Sequence, residues 1–270
     1  LYRRDRTLVN RIKKKFDELA SNNSKALITY IVAGDPDLDS TLRIMNCMVK
    51  EGADIIEIGI PFSDPMAEGI SIQKGHERAL QNKTSIKDIL SLVSKFRQLD
   101  KLTPIVFMGY MNPFESMGVQ DFCKEAASKG VDGILIVDMP PEESTEFSEE
   151  AKNYGIDVIR LIAPTTDISR AREICDLSSG YIYYISVKGI TGSNNLDSQD
   201  VKKKVEILSK ETDLPIAIGF GIKDSYSALS VKDFADGIVA GSVFVDIVGE
   251  GGDTIKKIAT KTKELSLAIK

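Results

Sequence analysis

The sequence is poor in the residues from which several common kinds of site are built. Its 270 residues contain one histidine, His76, and three widely spaced cysteines. A zinc site or a Ser-His-Asp triad would have to be built around that one histidine, which follows a predicted helix start and is better explained as a structural residue, so no metal site is predicted. Scattered cysteines of odd number form no disulfide framework, and Cys47, Cys123 and Cys175 are interpreted as reduced, buried thiols of a cytoplasmic protein.

Long apolar runs and an excess of positive charge are also missing. No apolar run approaches the roughly 20 residues that a membrane-spanning helix requires. The formal net charge is −5, and two short lysine clusters at 13–15 and 202–204 lie on predicted helices, where they are explained as solvated faces. Neither a membrane nor a nucleic acid is therefore predicted as a partner.

What the sequence does contain is a regular alternation of apolar, β-branched runs with amphipathic stretches. Eight strands, each followed by a helix, in a chain of this length predict a (β/α)8 TIM barrel, with an extra N-terminal helix at Asp5–Ser21 and a single domain over residues 1–270. A doubly wound open sheet is the alternative. The predicted strands are Ala26–Ala33, the run that starts at Ile55, Pro104–Tyr110, Gly133–Asp138, Asp157–Ala163, Tyr181–Val187, Pro215–Phe220 and Gly237–Ala240.

Three of these strands are introduced by a similar short phrase. The phrases are Gly52-Ala53-Asp54, Gly130-Val131-Asp132 and Ala235-Asp236-Gly237. We interpret them as shared helix-to-strand turn chemistry, with glycine at or near the end of the helix, and not as the sign of a repeat protein.

The second strand carries an acid inside its apolar run. Burying an unpaired carboxylate destabilises the fold by several kcal/mol. Glu57 is therefore paired with another group, protonated, or part of a functional site. A carboxylate paired with a buried base is the alternative, but the strand offers no neighbouring lysine or arginine. The following loop adds Asp64, which could also cap a turn, and Glu68, which could also be solvated. One desolvated acid with a raised pKa beneath an acidic loop is what general acid–base chemistry needs.

Glycine and small polar residues follow the last three strands, at 188–193, 219–221 and 241–242. TIM barrels often bind phosphate through the loops after strands 7 and 8 and the N-terminus of a short extra helix, which residues 242–245 can supply. We therefore predict a phosphate site there.

On strand 6, Tyr183 faces the barrel interior, where it is either a packed residue or a functional group. Lys188 could form a Schiff base, but it lies past the end of its strand and is interpreted as solvent-exposed.

The segment at 56–69, IEIGIPFSDPMAEG, resembles the signature of the tryptophan synthase α chain family. The resemblance extends over nearly the whole chain through further short segments in the same order. These are GDP at 34–36, YMNP at 110–113, VDMP at 137–140, GITG at 189–192, GFG at 219–221 and GS at 241–242.

The resemblance implies a lyase that cleaves indole-3-glycerol phosphate into indole and glyceraldehyde 3-phosphate by a retro-aldol reaction. It assigns the acid–base role to Glu57 and its support to Tyr183. Glu68 stands where the family usually has an aspartate that holds the indole N–H, and Ile70 stands where proline is common. The residues at substrate and phosphate positions are Gly192, Gly221, Gly241 and Ser242, with Phe220 against the substrate and Thr191 in a lid loop.

The resemblance also implies a partner. Family members work with a β chain that carries pyridoxal phosphate, usually as an α2β2 assembly, and the α chain itself holds no cofactor. The expected contact surface includes Pro61 and Asp64 of the loop 61–69, together with Asn112. Two other functions remain open, a stand-alone lyase that releases free indole and a weakly catalytic, ligand-binding subunit that activates a partner.

Overall fold

The computed structural model describes residues 10–186, 195–219 and 221–270. Within these residues eight parallel strands pair in sequence order, and β8 pairs with β1, so the sheet closes into a barrel. Closure excludes the open sheet, which has two free edges, and confirms the predicted (β/α)8 fold. The strands are β1 (Ala26–Val32), β2 (Ile55–Gly59), β3 (Ile105–Gly109), β4 (Gly133–Ile136), β5 (Asp157–Ile162), β6 (Ile182–Ile185), β7 (Ile216–Gly219) and β8 (Gly237–Ala240).

Helices surround the barrel. In the described residues none of them combines the length and the apolar character needed to cross a bilayer. They are α1 (Arg11–Ser21), α2 (Leu38–Lys50), α3 (Ile70–Gln81), α4 (Ile86–Leu99), α5 (Met111–Glu115), α6 (Val119–Lys129), α7 (Thr145–Asn153), α8 (Ile168–Asp176), α9 (Asn195–Leu208), α10 (Ser225–Leu229), α11 (Ser242–Glu250) and α12 (Thr254–Ile269), with a 3-10 turn at Pro141–Glu143.

Helix α5 was not predicted from the sequence, and α3 was indicated only as a helix start before His76, without bounds. Helix α3 begins after Gly69, which supplies no side-chain cap, and small residues form much of its buried face. At Gly75 a Cβ atom would lie 2.7 Å from Val245 of α11, so α3 packs closely against α11 without a stripe of large apolar residues. Helix α5 has only five residues, too few to show a period.

The amino end of the barrel is closed by α1. Ile12, Phe16 and Leu19 are buried against the barrel interior, as the predicted N-terminal helix requires, and the rings of Phe16 and Tyr181 lie 5.7 Å apart. In the structure Asn10 is the N-cap of this helix, and residues 5–9 of the predicted helix lie outside the described residues. Access to the interior is therefore from the carboxyl ends of the strands.

The three repeated phrases place an aspartate at the amino end of the barrel. Each carboxylate accepts a hydrogen bond from a backbone N–H of the preceding strand. The bonds join Asp54 to Leu27 of β1 (2.9 Å), Asp132 to Ile105 of β3 (2.8 Å) and Asp236 to Ile216 of β7 (2.9 Å). The predicted turn glycines Gly52 and Gly130 both adopt positive φ. The phrase is thus a device that fixes neighbouring strands to each other.

Candidate active site

A cavity of about 330 Å³ opens at the carboxyl ends of the strands. It is formed by residues from the ends of β1, β3, β6 and β8, the loops after β2 and β7, and the first turns of α3 and α11. Five of the residues predicted from the sequence meet here. The polar and glycine residues that line it are Tyr30, Glu68, Gly69, Ser71, Tyr183, Gly221, Gly241 and Ser242.

Glu57 lies in β2 and is fully buried. Its Oε1 accepts a hydrogen bond of 2.5 Å from the Tyr181 hydroxyl, whereas Oε2 has no hydrogen-bond partner among the described residues. Burial raises the pKa of Glu57 to about 7, the Tyr181 hydrogen bond opposes that rise, and Glu68 adds to it. The raised pKa predicted from the sequence is therefore present, and among the described residues no lysine or arginine pairs with the acid.

The tyrosine that holds Glu57 is Tyr181, although the resemblance assigns this role to Tyr183. Both side chains turn towards the interior because they lie two residues apart along the chain. Tyr181 comes earlier, so its hydroxyl reaches the level of Glu57, while Tyr183 lies nearer the mouth and lines the cavity. A Cβ atom on Gly219 would lie 2.2 Å from the Tyr183 hydroxyl, so this glycine makes room for Tyr183. A catalytic role for Tyr183 stays a prediction.

The loop after β2 turns Glu68 towards the cavity. The backbone N–H of Ala67 donates to the Tyr110 hydroxyl (3.0 Å), and the ring of Phe62 stacks on that of Tyr110 at 5.1 Å. The side-chain amide of Gln73 donates to the carbonyl of Glu68 (2.8 Å). Burial raises the pKa of Glu68 to about 7. Glu68 is thus a half-buried residue of the cavity wall and not a solvated loop residue.

His76 anchors the same loop from α3. The backbone N–H of Phe62 donates to His76 Nδ1 (3.1 Å), and His76 Nε2 lies 3.3 Å from the Tyr30 hydroxyl. The imidazole is buried, and burial lowers its pKa to about 4, so it is neutral at physiological pH. This agrees with the structural role expected for the single histidine, but the sequence pattern did not indicate that Tyr30 is its neighbour.

The N-terminus of α11 lines the same cavity. Gly241 and Ser242 stand at the N-terminus of α11, whose first turn holds no acidic side chain, so its free backbone N–H groups favour a negative charge. Gly221 adopts a φ of +84°, a conformation that glycine adopts without strain. The other predicted substrate residues, Thr191, Gly192 and Phe220, lie outside the described residues, as does Lys188.

The three residues predicted to contact the β chain differ in their exposure to solvent. Asp64 and Asn112 are exposed at the carboxyl face, but Pro61 is buried and presents no contact surface there. Beside them Met66 is 85% and Ile70 is 73% exposed, which is unusual for apolar side chains. This face therefore combines acidic, amide and apolar groups around the mouth of the cavity.

Comparison with known proteins identifies the family. The family model described as tryptophan synthase alpha chain matches residues 16–270. The chain belongs to the tryptophan synthase alpha chain family. A tryptophan synthase alpha chain from Thioalkalivibrio sulfidiphilus is 47% identical over 242 residues, which cover 90% of this chain and 91% of that protein.

Solved structures of the family have the same fold. Tryptophan synthase subunit alpha from Legionella pneumophila matches with a TM-score of 0.90 and 37% identity, covering 97% of this chain and 98% of that one. A chain of the tryptophan synthase complex from Pyrococcus furiosus matches with a TM-score of 0.82 and 37% identity, covering 90% and 98%. The resemblance seen in the sequence is confirmed, and with it the lyase reaction of the tryptophan synthase alpha chain family.

Proposed function

We propose that this chain is the α subunit of a tryptophan synthase and that Glu57 and Glu68 carry out its cleavage of indole-3-glycerol phosphate. One observation carries the assignment of these two residues. A fully buried carboxyl with an oxygen unpaired among the described residues lies in the barrel wall, and a second acid lines the cavity at its mouth, both with a pKa of about 7. An acid of that pKa can give and accept a proton at physiological pH.

The substrate is held by its two ends. The phosphate binds at Gly221, Gly241 and Ser242, where the N-terminus of α11 offers backbone N–H groups and a favourable dipole. The indole ring lies in the part of the cavity lined by Tyr183 and Met108, with its N–H towards Glu68. Binding of the distant phosphate holds the glycerol chain in place for the bond that breaks.

The reaction then needs two proton movements. Protonated Glu57 delivers its proton to carbon 3 of the indole, and the positive charge that develops on the ring nitrogen is stabilised by the Glu68 carboxylate. Glu57, now a carboxylate, accepts the proton of the hydroxyl on the adjacent glycerol carbon. The O–H electron pair forms the aldehyde C=O, and the carbon–carbon bond electrons return to the ring, which releases indole and glyceraldehyde 3-phosphate.

In this scheme the α chain itself uses no cofactor, and pyridoxal phosphate belongs to the β chain. The proposal places the protein in the cytoplasm. The exposed surface formed by Asp64, Met66, Ile70 and Asn112 is where the β chain binds, because apolar side chains at the rim of a site gain most from being covered. A structure from the family, that of Pyrococcus furiosus, is of a tryptophan synthase complex, which supports this assembly.

The test is product formation from indole-3-glycerol phosphate by the purified chain, with and without a tryptophan synthase β chain. We expect indole and glyceraldehyde 3-phosphate in equal amounts, a higher rate with the β chain, and a large loss of kcat/KM for indole-3-glycerol, which lacks the phosphate. An equal rate without the partner would favour a stand-alone lyase. Substrate binding without products would favour a ligand-binding subunit, and a borohydride-trapped adduct would favour Lys188 chemistry.

A further inference from the structure

The chain on either side of Glu68 is held mainly by hydrogen bonds, because apolar packing offers it little. Met66, Ala67 and Gly69 are exposed, while Glu68 itself is half-buried. The backbone N–H of Glu68 donates to the carbonyl of Pro65 (3.1 Å), a bond that lies within the loop and does not attach the loop to the barrel. The position of Glu68 relative to the barrel therefore depends on hydrogen bonds to residues outside the loop.

Tyr110 provides such a bond at the peptide that precedes Glu68. Its hydroxyl accepts a hydrogen bond of 3.0 Å from the backbone N–H of Ala67, and its ring stacks on that of Phe62 with 5.1 Å between the ring centroids. One side chain thus contacts the loop near both of its ends. Glu68 lines the cavity, whereas Tyr110 is buried and is not among the described residues that line it. The Tyr110 hydroxyl therefore acts on the loop and not directly on a bound molecule.

The backbone that carries Tyr110 is itself fixed at the end of β3. The carbonyl of Gly109 accepts a hydrogen bond from the N–H of Val137 (2.9 Å), and the N–H of Met111 donates to the carboxylate of Asp138 (2.8 Å). The residues before and after Tyr110 are thus both bonded to the chain that follows β4. Burial raises the pKa of Tyr110 to about 12, so the hydroxyl is neutral at physiological pH and available as an acceptor. Tyr110 therefore offers the loop a fixed point on a rigid element.

The carboxylate of Glu68 is held through its main chain. Among the described residues no lysine or arginine pairs with it, and burial is the cause of its raised pKa. On the other side of Glu68, the side-chain amide of Gln73 donates to the Glu68 carbonyl (2.8 Å). The place of the carboxylate in the cavity is therefore decided by the peptides before and after Glu68, which are bonded to Tyr110 and Gln73.

We propose that Tyr110 is a positioning residue, whose hydrogen bond with Ala67 sets the carboxylate of Glu68 in the cavity of the proposed lyase. The inference rests on the proposed function for the catalytic part of Glu68, whereas the attachment of the loop is a matter of geometry. A group that stabilises a developing charge must lie at the right distance from it, and a misplacement of about 1 Å can lower a rate by a large factor. Loss of the Tyr110 hydroxyl should therefore lower the rate through Glu68.

The first test measures the hydrogen bond itself. In a protein labelled with nitrogen-15 in alanine, the amide signal of Ala67 is identified by its loss in Ala67→Ser. We expect its hydrogen exchange to be at least roughly tenfold faster in Tyr110→Phe than in the unaltered chain. Ala67 is exposed, so water can replace the lost acceptor and the variant should still fold. Equal exchange rates in the two proteins would overturn the inference.

Tyr184 supplies a matched control for the loss of a buried tyrosine hydroxyl. Tyr110 and Tyr184 are each 2% exposed, but the hydroxyl of Tyr184 has no hydrogen-bond partner among the described residues. Tyr184→Phe therefore makes the same chemical change without removing a bond of the loop. We expect this variant to leave both the exchange of the Ala67 amide and the steady-state kinetics unchanged.

The second test asks whether Tyr110 acts through Glu68. With a β chain present and indole-3-glycerol phosphate as substrate, we expect Tyr110→Phe to lower kcat roughly tenfold and to change KM by less than about twofold. In the Glu68→Gln background the same substitution should change kcat by less than about twofold, because no charge remains to be positioned.

Two kinetic results would overturn the inference. One is an unchanged kcat in folded Tyr110→Phe. The other is an equal loss of kcat with Glu68 and with glutamine at position 68, because Tyr110 would then act on the fold or on the substrate. The exchange of the Ala67 amide needs no turnover. If the unaltered chain failed to cleave indole-3-glycerol phosphate while Tyr110→Phe still released Ala67, the proposed function would fail and the attachment of the loop by Tyr110 would stand.

Discussion

Glu57 owes its chemistry to the place of one side chain in a strand. Burial in β2 makes its ionised form expensive, and a single hydrogen bond from Tyr181 recovers only part of that cost, so its pKa stands at about 7. In the unfolded chain the pKa of a glutamate is about 4.3. Between these values the native state binds a proton that the unfolded chain has lost, so the free energy of unfolding falls as pH rises from about 4.5 to about 7.

This linkage predicts a pH-dependent effect of Glu57→Gln on stability. The amide cannot ionise, so the variant is free of the cost that Glu57 imposes above pH 7. We expect the variant to gain stability relative to the unaltered chain between pH 5 and pH 8, by at most about 3 kcal/mol. Urea unfolding at the two pH values measures the difference. A constant difference would mean that Glu57 has an ordinary pKa in the folded protein.

Substitutions of Glu68 test separately how much the charge and the length of its side chain contribute to kcat. Glu68→Gln keeps the size but cannot stabilise a positive indole nitrogen, so kcat should fall by roughly 100-fold. Glu68→Asp keeps the charge and shortens the side chain by one methylene, so it should lose much less. Steady-state kinetics with indole-3-glycerol phosphate compares the two. Equal losses would show that the position of the carboxylate matters more than its charge.

Sequence reasoning found the acids but not their neighbours. Glu57 stands out because an acid in a β-branched run has few explanations, and desolvation then predicts the direction of its pKa. Alternation along a strand shows that Tyr181 and Tyr183 face the same way, but it does not show the height that each hydroxyl reaches in the barrel. The contact between Tyr30 and His76 joins residues 46 positions apart, and no local pattern encodes it.

Among the elements, the three short phrases that contain an aspartate stabilise the amino end of the barrel. Asp132 accepts from Arg97, from Arg11 of α1 and from the backbone of Ile105, each at 2.7–2.8 Å. Asp236 is exposed, and in the described residues its carboxylate accepts a hydrogen bond from Ile216 alone. The aspartate of the phrase thus belongs to a buried network of ion pairs at Asp132, but makes a single side-chain hydrogen bond at Asp236.

The different surroundings of Asp132 and Asp236 predict that substitution by alanine lowers the free energy of unfolding by different amounts. Asp132→Ala leaves Arg97 and Arg11 without their carboxylate, and we expect a loss of about 3 kcal/mol in the free energy of unfolding. Asp236→Ala removes one hydrogen bond, worth about 1 kcal/mol. Urea unfolding measures both. Because these residues lie at the end opposite the cavity, kcat should change little in either variant, and equal costs would contradict a special role for the Asp132 network.

The repeated phrase was recognisable in the sequence, and Gly52 and Gly130 were correctly assigned to turns, whereas Gly237 lies in β8. The carboxylate bonds were not predicted, because they link an aspartate to a strand about 20 to 27 residues earlier. Helix α3 was indicated only by a start before His76, and its bounds were not predicted. Its small residues pack on α11, a partner that only the closed barrel brings near.

At the scale of the whole molecule, the barrel separates stability from function. Helix α1 and the aspartate bonds close the amino end, while the cavity and the exposed apolar residues lie at the carboxyl end. The continuous pairing of β1 to β8 supports the proposal that the chain is one domain. A partner can thus bind over the active site without disturbing the elements that hold the barrel closed.

This polarity predicts where a charge will weaken binding of the β chain. Met66 is 85% exposed beside the cavity, and Leu102 is 81% exposed in the loop before β3, at the opposite end. Met66→Lys should weaken association by roughly tenfold or more, because a desolvated charge would have no partner in the interface. Leu102→Lys is the matched control and should leave affinity unchanged. Titration calorimetry with a β chain gives the affinity of each variant. Equal affinities of Met66→Lys and Leu102→Lys would show that Met66 is not part of the interface.

The most direct test of the central claim is the rate of indole formation by Glu57→Gln. The substitution keeps the shape of the side chain and removes its ability to transfer a proton. With substrate saturating and a β chain present, we predict that kcat falls by roughly 1,000-fold or more while indole-3-glycerol phosphate still binds. A variant that binds substrate and keeps more than a tenth of the rate would show that Glu57 is not the acid–base group of this barrel.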